Sequence, residues 1–265
     1  VGAWGLWAQT ERSVVGWSES RLPFDPRGDL AEYRGALRSA LRRLHGSPID
    51  GLSVTYLAPD GGVGDVENVG LYNLGIGSYA HLTEAGIACR RAQSDDGRHW
   101  LRYEIGWLRS PHVGDPAVFA ALETDIVTLH RNADEWRSTL TPHVLRFADE
   151  QPDRFTVDVT ISGPWSGQTV AGITKPLLDG VVSALLGLGA AVDDVVLSGA
   201  LPGRRPIQGE PRRLVRLDRG GVAWNPAGDR CQAFRVRVRR ARASSVKAEV
   251  CGVASGHNEP RDATA

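Results

Sequence analysis

The stretch FTVDVTISGPWSGQTVAGITKPLLDGVVSALLGL, residues 155–188, carries the fold reading. It opens with strict alternation: Phe155, Val157, Val159 and Ile161 are apolar, while Thr156, Asp158 and Thr160 are polar. A period of two places one set on a core and the other on the opposite face of a strand. Gly163-Pro164-Trp165-Ser166-Gly167 then breaks the strand and turns the chain. From about Thr174 to Leu188 the period becomes helical, with Leu177, Leu178, Val181, Val182, Leu185 and Leu186 on one broad stripe. Pro176 fits the first turn of that helix, where no backbone N–H is required.

Working outward, the N-terminal half repeats this order of parts. Trp4, Trp7 and Trp17 alternate with polar residues in an extended segment. Asp29 reads as a helix N-cap with Glu32 as its capping-box partner, ahead of a stripe of Leu30, Tyr33, Leu37, Leu41 and Leu44. Leu52 to Leu57 alternates as a strand, and Asp60-Gly61-Gly62 turns the chain toward a short helix around Leu71, Tyr72 and Leu74. His99–Leu108 reads as a strand and Pro116–His130 as a helix. Beyond the opening stretch, Val195-Val196-Leu197 and Phe234–Val238 read as strands, and the residues after Gly252 as a tail.

These patterns predict an α+β fold of two similar lobes, each a small mixed sheet with packed helices, related by internal duplication. The expected division is 1–110, 111–252 with a basic strand region, and a tail at 253–265.

Composition sets the outer limits. The 265 residues carry 31 Lys+Arg and 31 Asp+Glu, a formal net charge of zero. A hydrophobic fraction of 42% with no net charge excludes a disordered chain. No apolar run approaches the ~18–20 residues that a membrane-spanning helix requires. Val1–Gln9 has no basic segment followed by an apolar core, so no secretory leader is expected there. Three widely spaced cysteines, Cys89, Cys231 and Cys251, offer no CxxC pair and an odd count. They fit buried thiols in a reducing cytoplasm better than a zinc ribbon or disulfide framework.

Charge is unevenly spread. Residues 195–247 hold 13 basic and three acidic side chains. Arg204, Arg205, Arg212 and Arg213 lie in a loop-rich stretch, and Arg235, Arg237 and Arg239 alternate with apolar residues. A row of guanidinium groups on one strand face can follow a phosphate backbone. The competing reading is a solvated face paired with acidic neighbours. Only two of the 31 basic residues are lysines, Lys175 and Lys247, which points to a GC-rich bacterial genome and makes Arg abundance a weak sign of nucleic acid.

Lys175, Asp179 and the Ala184-Leu185 pair, followed by Asp193-Asp194, resemble the metal-bearing helix of RusA-type Holliday-junction resolvases. Asp65-x-Glu67-Asn68 in the first half is similar to that family's Asp-x-Asp-Asn. The resemblance covers about 40 residues in each half, and the halves are complementary. Thr169 and Ala171 stand where the second half would carry acids, and Leu71 stands where the first half would carry the lysine.

The resemblance implies a nucleic-acid-interacting, Mg²⁺-dependent endodeoxyribonuclease, or a relative that binds without cutting. Asp65, Glu67, Asp179, Asp193 and Asp194 would hold the metal, and Lys175 would stabilise phosphate charge. The family acts as dimers, which a fused duplication would reproduce in one chain. Mg²⁺ takes hard oxygen ligands and activates water at a phosphodiester, and three or four gathered carboxylates would serve it. The plainer alternative is a non-catalytic cytoplasmic interaction module. In it Asp65, Asp193 and Asp194 are turn or cap residues, and Lys175–Asp179 is an i,i+4 pair.

Other chemistries lack their patterns. Gly51-Leu52-Ser53-Val54 is no nucleophile elbow, and no glycine-rich loop carries a dinucleotide or Walker signature. His99, His112, His130 and His143 show no local metal-ligand spacing.

Overall fold

The computed structural model of the chain describes residues 3–59, 66–112, 116–187, 216–218, 221–223 and 230–253. The first half runs β1 (Trp4–Thr10), β2 (Ser13–Ser18), α1 (Asp29–Leu41), β3 (Gly51–Ala58), a π-helical turn at Asn68–Tyr72, β4 (Gly86–Gln93) and β5 (His99–Gly106). The second half runs β6 (Val118–Asp125), α2 (Ala133–Leu140), β7 (Val144–Arg146), β8 (Phe155–Gly163), α3 (Gly167–Ala171) and α4 (Thr174–Leu186). A separate two-stranded antiparallel sheet, β9 (Arg216–Asp218) with β10 (Gly221–Ala223), precedes β11 (Cys231–Arg240) and β12 (Ser245–Gly252) in sequence.

The α+β class expected from the patterning is present, but the strands of the two lobes join in one sheet. Ten strands lie in the order β1-β2-β5-β3-β4-β11-β8-β12-β6-β7. Pairing reads alike from both ends. β3 is parallel to β4 and β8 to β11, each pair joined through a helical crossover. β5 and β12 lie antiparallel outside β3 and β8, with β2 and β6 antiparallel outside them. The centre is the antiparallel contact of β4 with β11. Gly86 permits it: its φ is +120°, and a Cβ there would collide with the Val236 carbonyl.

The helices share one face of the sheet. Gly16 on β2 lies under Tyr33 and Leu37 of α1, Gly70 lies on Val54, and the start of α4 meets the Asn68–Tyr72 turn. Beneath them a cross-strand row, Val14–Tyr103–Val54–Cys89–Phe234–Val157–Val250–Ala120, is wholly buried. The opposite row, Ser13–Glu104–Ser53–Ala88–Arg235–Asp158–Glu249–Ala121, is mainly polar. After β5, residues 107–112 lie against this polar face. Leu108 abuts Gly51, and its carbonyl accepts from Arg235 Nη1 at 3.0 Å. Thr156 and Asp158 are buried on what alternation alone marks as an outer face.

Two local expectations are corrected. Residues 118–125 are a strand, not part of a helix. Val250 pairs with Ala120 and Cys251 with Val118, so Phe119 is the extra residue of a bulge. The bulge buries Phe119 and Ala120 in succession, which disguises a period of two as helical spacing. At α1 the N-cap is Gly28, with φ 53° and no side-chain cap. Asp29 and Glu32 fall within the first turn, where their charge favours the helix N-terminus.

Candidate functional site

On the helical side, the two crossovers meet. Glu67 precedes the Asn68–Tyr72 turn after β3, while Lys175 and Asp179 occupy successive turns of α4 after β8. Lys175 Nζ lies 3.5 Å from Glu67 Oε1 and 3.6 Å from Asp179 Oδ2. The Lys175 backbone N–H donates to Tyr72 Oη at 2.9 Å. Burial raises the Tyr72 phenol above its ordinary range, against the opposing influence of the Lys175 N–H and charge. The Glu67 side chain is only 2% exposed. An ammonium within Coulombic reach offsets part of the desolvation of a carboxylate so placed.

This cluster unites three residues expected to act at a metal or phosphate, one from the first half and two from the second. Asp65, Asp193 and Asp194 lie outside the described residues, as do Arg204, Arg205, Arg212 and Arg213.

Arg235, Arg237 and Arg239 do share a face of β11, but their surroundings differ. Arg235 donates from Nε to Asp158 Oδ1 at 3.0 Å and from Nη2 to Asp158 Oδ2, a bidentate pair. Both side chains are buried. Arg237 Nη2 lies 3.7 Å from the same Oδ2, and burial, the larger influence, lowers its pKa against the raising effect of Asp158. Arg239 is exposed. Arg235 therefore holds the sheet to the segment beneath it, Arg237 pairs within the sheet with Asp158 of β8, and Arg239 faces solvent.

Beside them, a polar cluster forms from parts remote in sequence. His112 Nδ1 is 2.6 Å from Thr156 Oγ1, and Nε2 is 3.2 Å from Glu249 Oε1 and 3.7 Å from Cys251 Sγ. Ligand atoms of His112, Asp158 and Glu249 all lie within 4.8 Å of one another. Burial, then the nearby Glu249 and Asp158 charges, push the Cys251 thiol up to about 11. Local spacing gave no sign of this group, because its members stand on the 107–112 segment, β8 and β12.

The polar face of the first half presents aromatic and basic side chains. Trp7 is 67% exposed, with its ring 5.9 Å from that of Trp100. Trp100 is 6.4 Å from Trp17, and the Arg98 guanidinium lies 4.2 Å from the Trp17 ring centre. Arg102 and Arg90 lie opposite Thr55 in the adjoining row. The alternating tryptophans were legible as an extended segment, but their meeting with Trp100 was not.

Among the described residues no helix is long and apolar enough to cross a membrane. Compared with protein-family models, curated proteins and solved structures, the chain matches none.

Proposed function

We propose that this protein interacts with nucleic acid and carries, between its two crossovers, a divalent-cation site of the RusA-like kind within a fused duplication. The observation that carries the reading is the meeting of Glu67 and Asp179 around Lys175, with Glu67 and Lys175 108 positions apart in sequence. The two half-motifs are each incomplete and become complementary when their crossovers touch. The like pairing order on either side of β4–β11 supports the duplication.

Glu67 and Asp179 supply hard carboxylate oxygens suited to Mg²⁺, with Asp65 two positions from Glu67 in sequence. Bound Mg²⁺ would activate water and neutralise phosphodiester charge. Lys175, now between the carboxylates, would turn its ammonium toward a phosphate oxygen. The Trp7–Trp100–Trp17 group with Arg98, Arg90 and Arg102 gives independent support for nucleic-acid contact. Aromatic faces stack bases and guanidinium groups meet the backbone.

The test is cleavage of labelled branched, duplex and single-stranded DNA with and without Mg²⁺, using the parent chain, Glu67→Gln and Asp179→Asn. Mg²⁺-dependent cutting that both substitutions abolish is the expected result. Salt-sensitive binding without cutting would place the protein among non-catalytic relatives. Neither binding nor cutting would overturn the reading in favour of an interaction module.

A further inference from the structure

The cluster at His112, Asp158 and Glu249 lies across the sheet from the proposed Mg²⁺ site and plays no part in that reading. We propose that these three side chains bind one divalent transition cation of the Zn²⁺ class, and that the ion clamps residues 107–112 to β8 and β12.

The geometry suits one ion. Zn–N bonds of ~2.0–2.1 Å and Zn–O bonds of ~2.0–2.2 Å at a tetrahedral angle place two ligand atoms about 3.3 Å apart. His112 Nε2 and Glu249 Oε1 are 3.2 Å apart, and the three ligand atoms lie within 4.8 Å of one another, so the side chains close by up to about 1.5 Å to meet one ion. The ligands come from three backbone positions remote in sequence. Asp158 and Glu249 face each other in the β8–β12 register, and His112 reaches them from the segment crossing beneath.

The surrounding contacts are those that orient metal ligands. Thr156 Oγ1 can accept the Nδ1 proton of His112 at 2.6 Å, which leaves the Nε2 lone pair for a metal. Without a cation, Nε2 must carry a proton to face the Glu249 carboxylate favourably. Arg235 fixes Asp158 through both oxygens, and Arg237 Nη2 also lies 3.7 Å from Oδ2, so the second lone pair of Oδ1 is the one offered to a metal. Imidazole and carboxylate donors, with the Cys251 sulfur 3.7 Å from Nε2, favour a borderline cation over Mg²⁺. Glu249 is 34% exposed, so the site has an entry path.

The experiment titrates Zn²⁺ into the full chain after chelator treatment and dialysis, by calorimetry and by thermal melting. One equivalent should bind with a rise in melting temperature, and Mg²⁺ at equal concentration should not compete. His112→Ala should remove binding, Glu249→Gln should weaken it at least tenfold, and Thr156→Val should weaken it about 10–100-fold as loss of an orienting partner. Far-ultraviolet circular dichroism in chelator establishes that each variant folds, and His112→Gln replaces His112→Ala if the latter does not. Absence of Zn²⁺ binding, or binding unchanged in both the His112 and Glu249 variants, would reduce the cluster to a hydrogen-bonded network and overturn the proposal. Glu67→Gln should leave Zn²⁺ binding intact, which separates this site from the Mg²⁺ reading.

Discussion

Replacing Arg235 by Met should be among the most destabilising single changes in the sheet. Three hydrogen bonds leave with the guanidinium: two to Asp158 and one to the Leu108 carbonyl. Asp158 is 7% exposed, so its carboxylate would remain buried, with Arg237 Nη2 at 3.7 Å as the nearby cation. Removing one partner of a buried ion pair costs about 3–5 kcal/mol, because the other charge stays desolvated. For a chain of this size each kcal/mol shifts the midpoint by roughly 2–4 °C, so the fall should be at least about 6 °C. Urea unfolding in chelator, followed by tryptophan fluorescence and circular dichroism, measures it directly.

Asp158→Leu in the same background completes a double-mutant cycle. The double variant should be more stable than the sum of the single changes predicts, by about 2 kcal/mol or more, since both buried charges then disappear together. A loss below about 1 kcal/mol for Arg235→Met, with no coupling, is the value of a solvent-exposed pair. It would show that residues 107–112 do not cover this face in solution, and would return Arg235 to the set of groups open to phosphate.

Three other outcomes follow from the same contacts. The Cys251 thiol is raised to about 11, so the folded chain holds its proton where the unfolded chain releases it; stability should fall as pH rises from about 9 toward about 11, and Cys251→Ser should flatten that part of a pH–stability profile. Gly86→Ala forces an L side chain to φ +120° against the Val236 carbonyl and should cost more than about 3 kcal/mol in denaturant unfolding, separating β4 from β11. Single-stranded oligonucleotide should quench tryptophan emission if the Trp7–Trp100–Trp17 face stacks bases, and Trp100→Ala should weaken that binding by about 1–3 kcal/mol; an unchanged affinity removes this face from nucleic-acid contact.

Elements with a strong local period were legible in the sequence. The stripe of Tyr33, Leu37 and Leu41 is α1, the alternation around Val54 is β3, and residues 155–186 hold a strand, a turn and a helix in the order read. Lys175 and Asp179 form the pair that helical spacing allows. β4, β12 and α2 escaped notice because their apolar residues are diluted by Arg, Ala or polar side chains. In β12 the alternation is short, with Val246, Ala248 and Val250 buried between Ser245, Lys247 and Glu249. β6 was misread because one bulged residue, Phe119, turns a period of two into something helix-like.

What the amino-acid sequence determined by itself is therefore the class of the fold and most of its local pieces, since periodicity and turn chemistry act over a few residues. The tertiary structure alone decided three things. It joined the strands of both lobes into one sheet through β4 and β11. It paired Arg235 with Asp158, turning an expected phosphate-facing cation into a buried structural one. It also brought Glu67 to Lys175 and His112 to Glu249. Each of these contacts depends on strand order and on the path of the crossovers, and a one-residue slip in register would send every side chain of a strand to the other face.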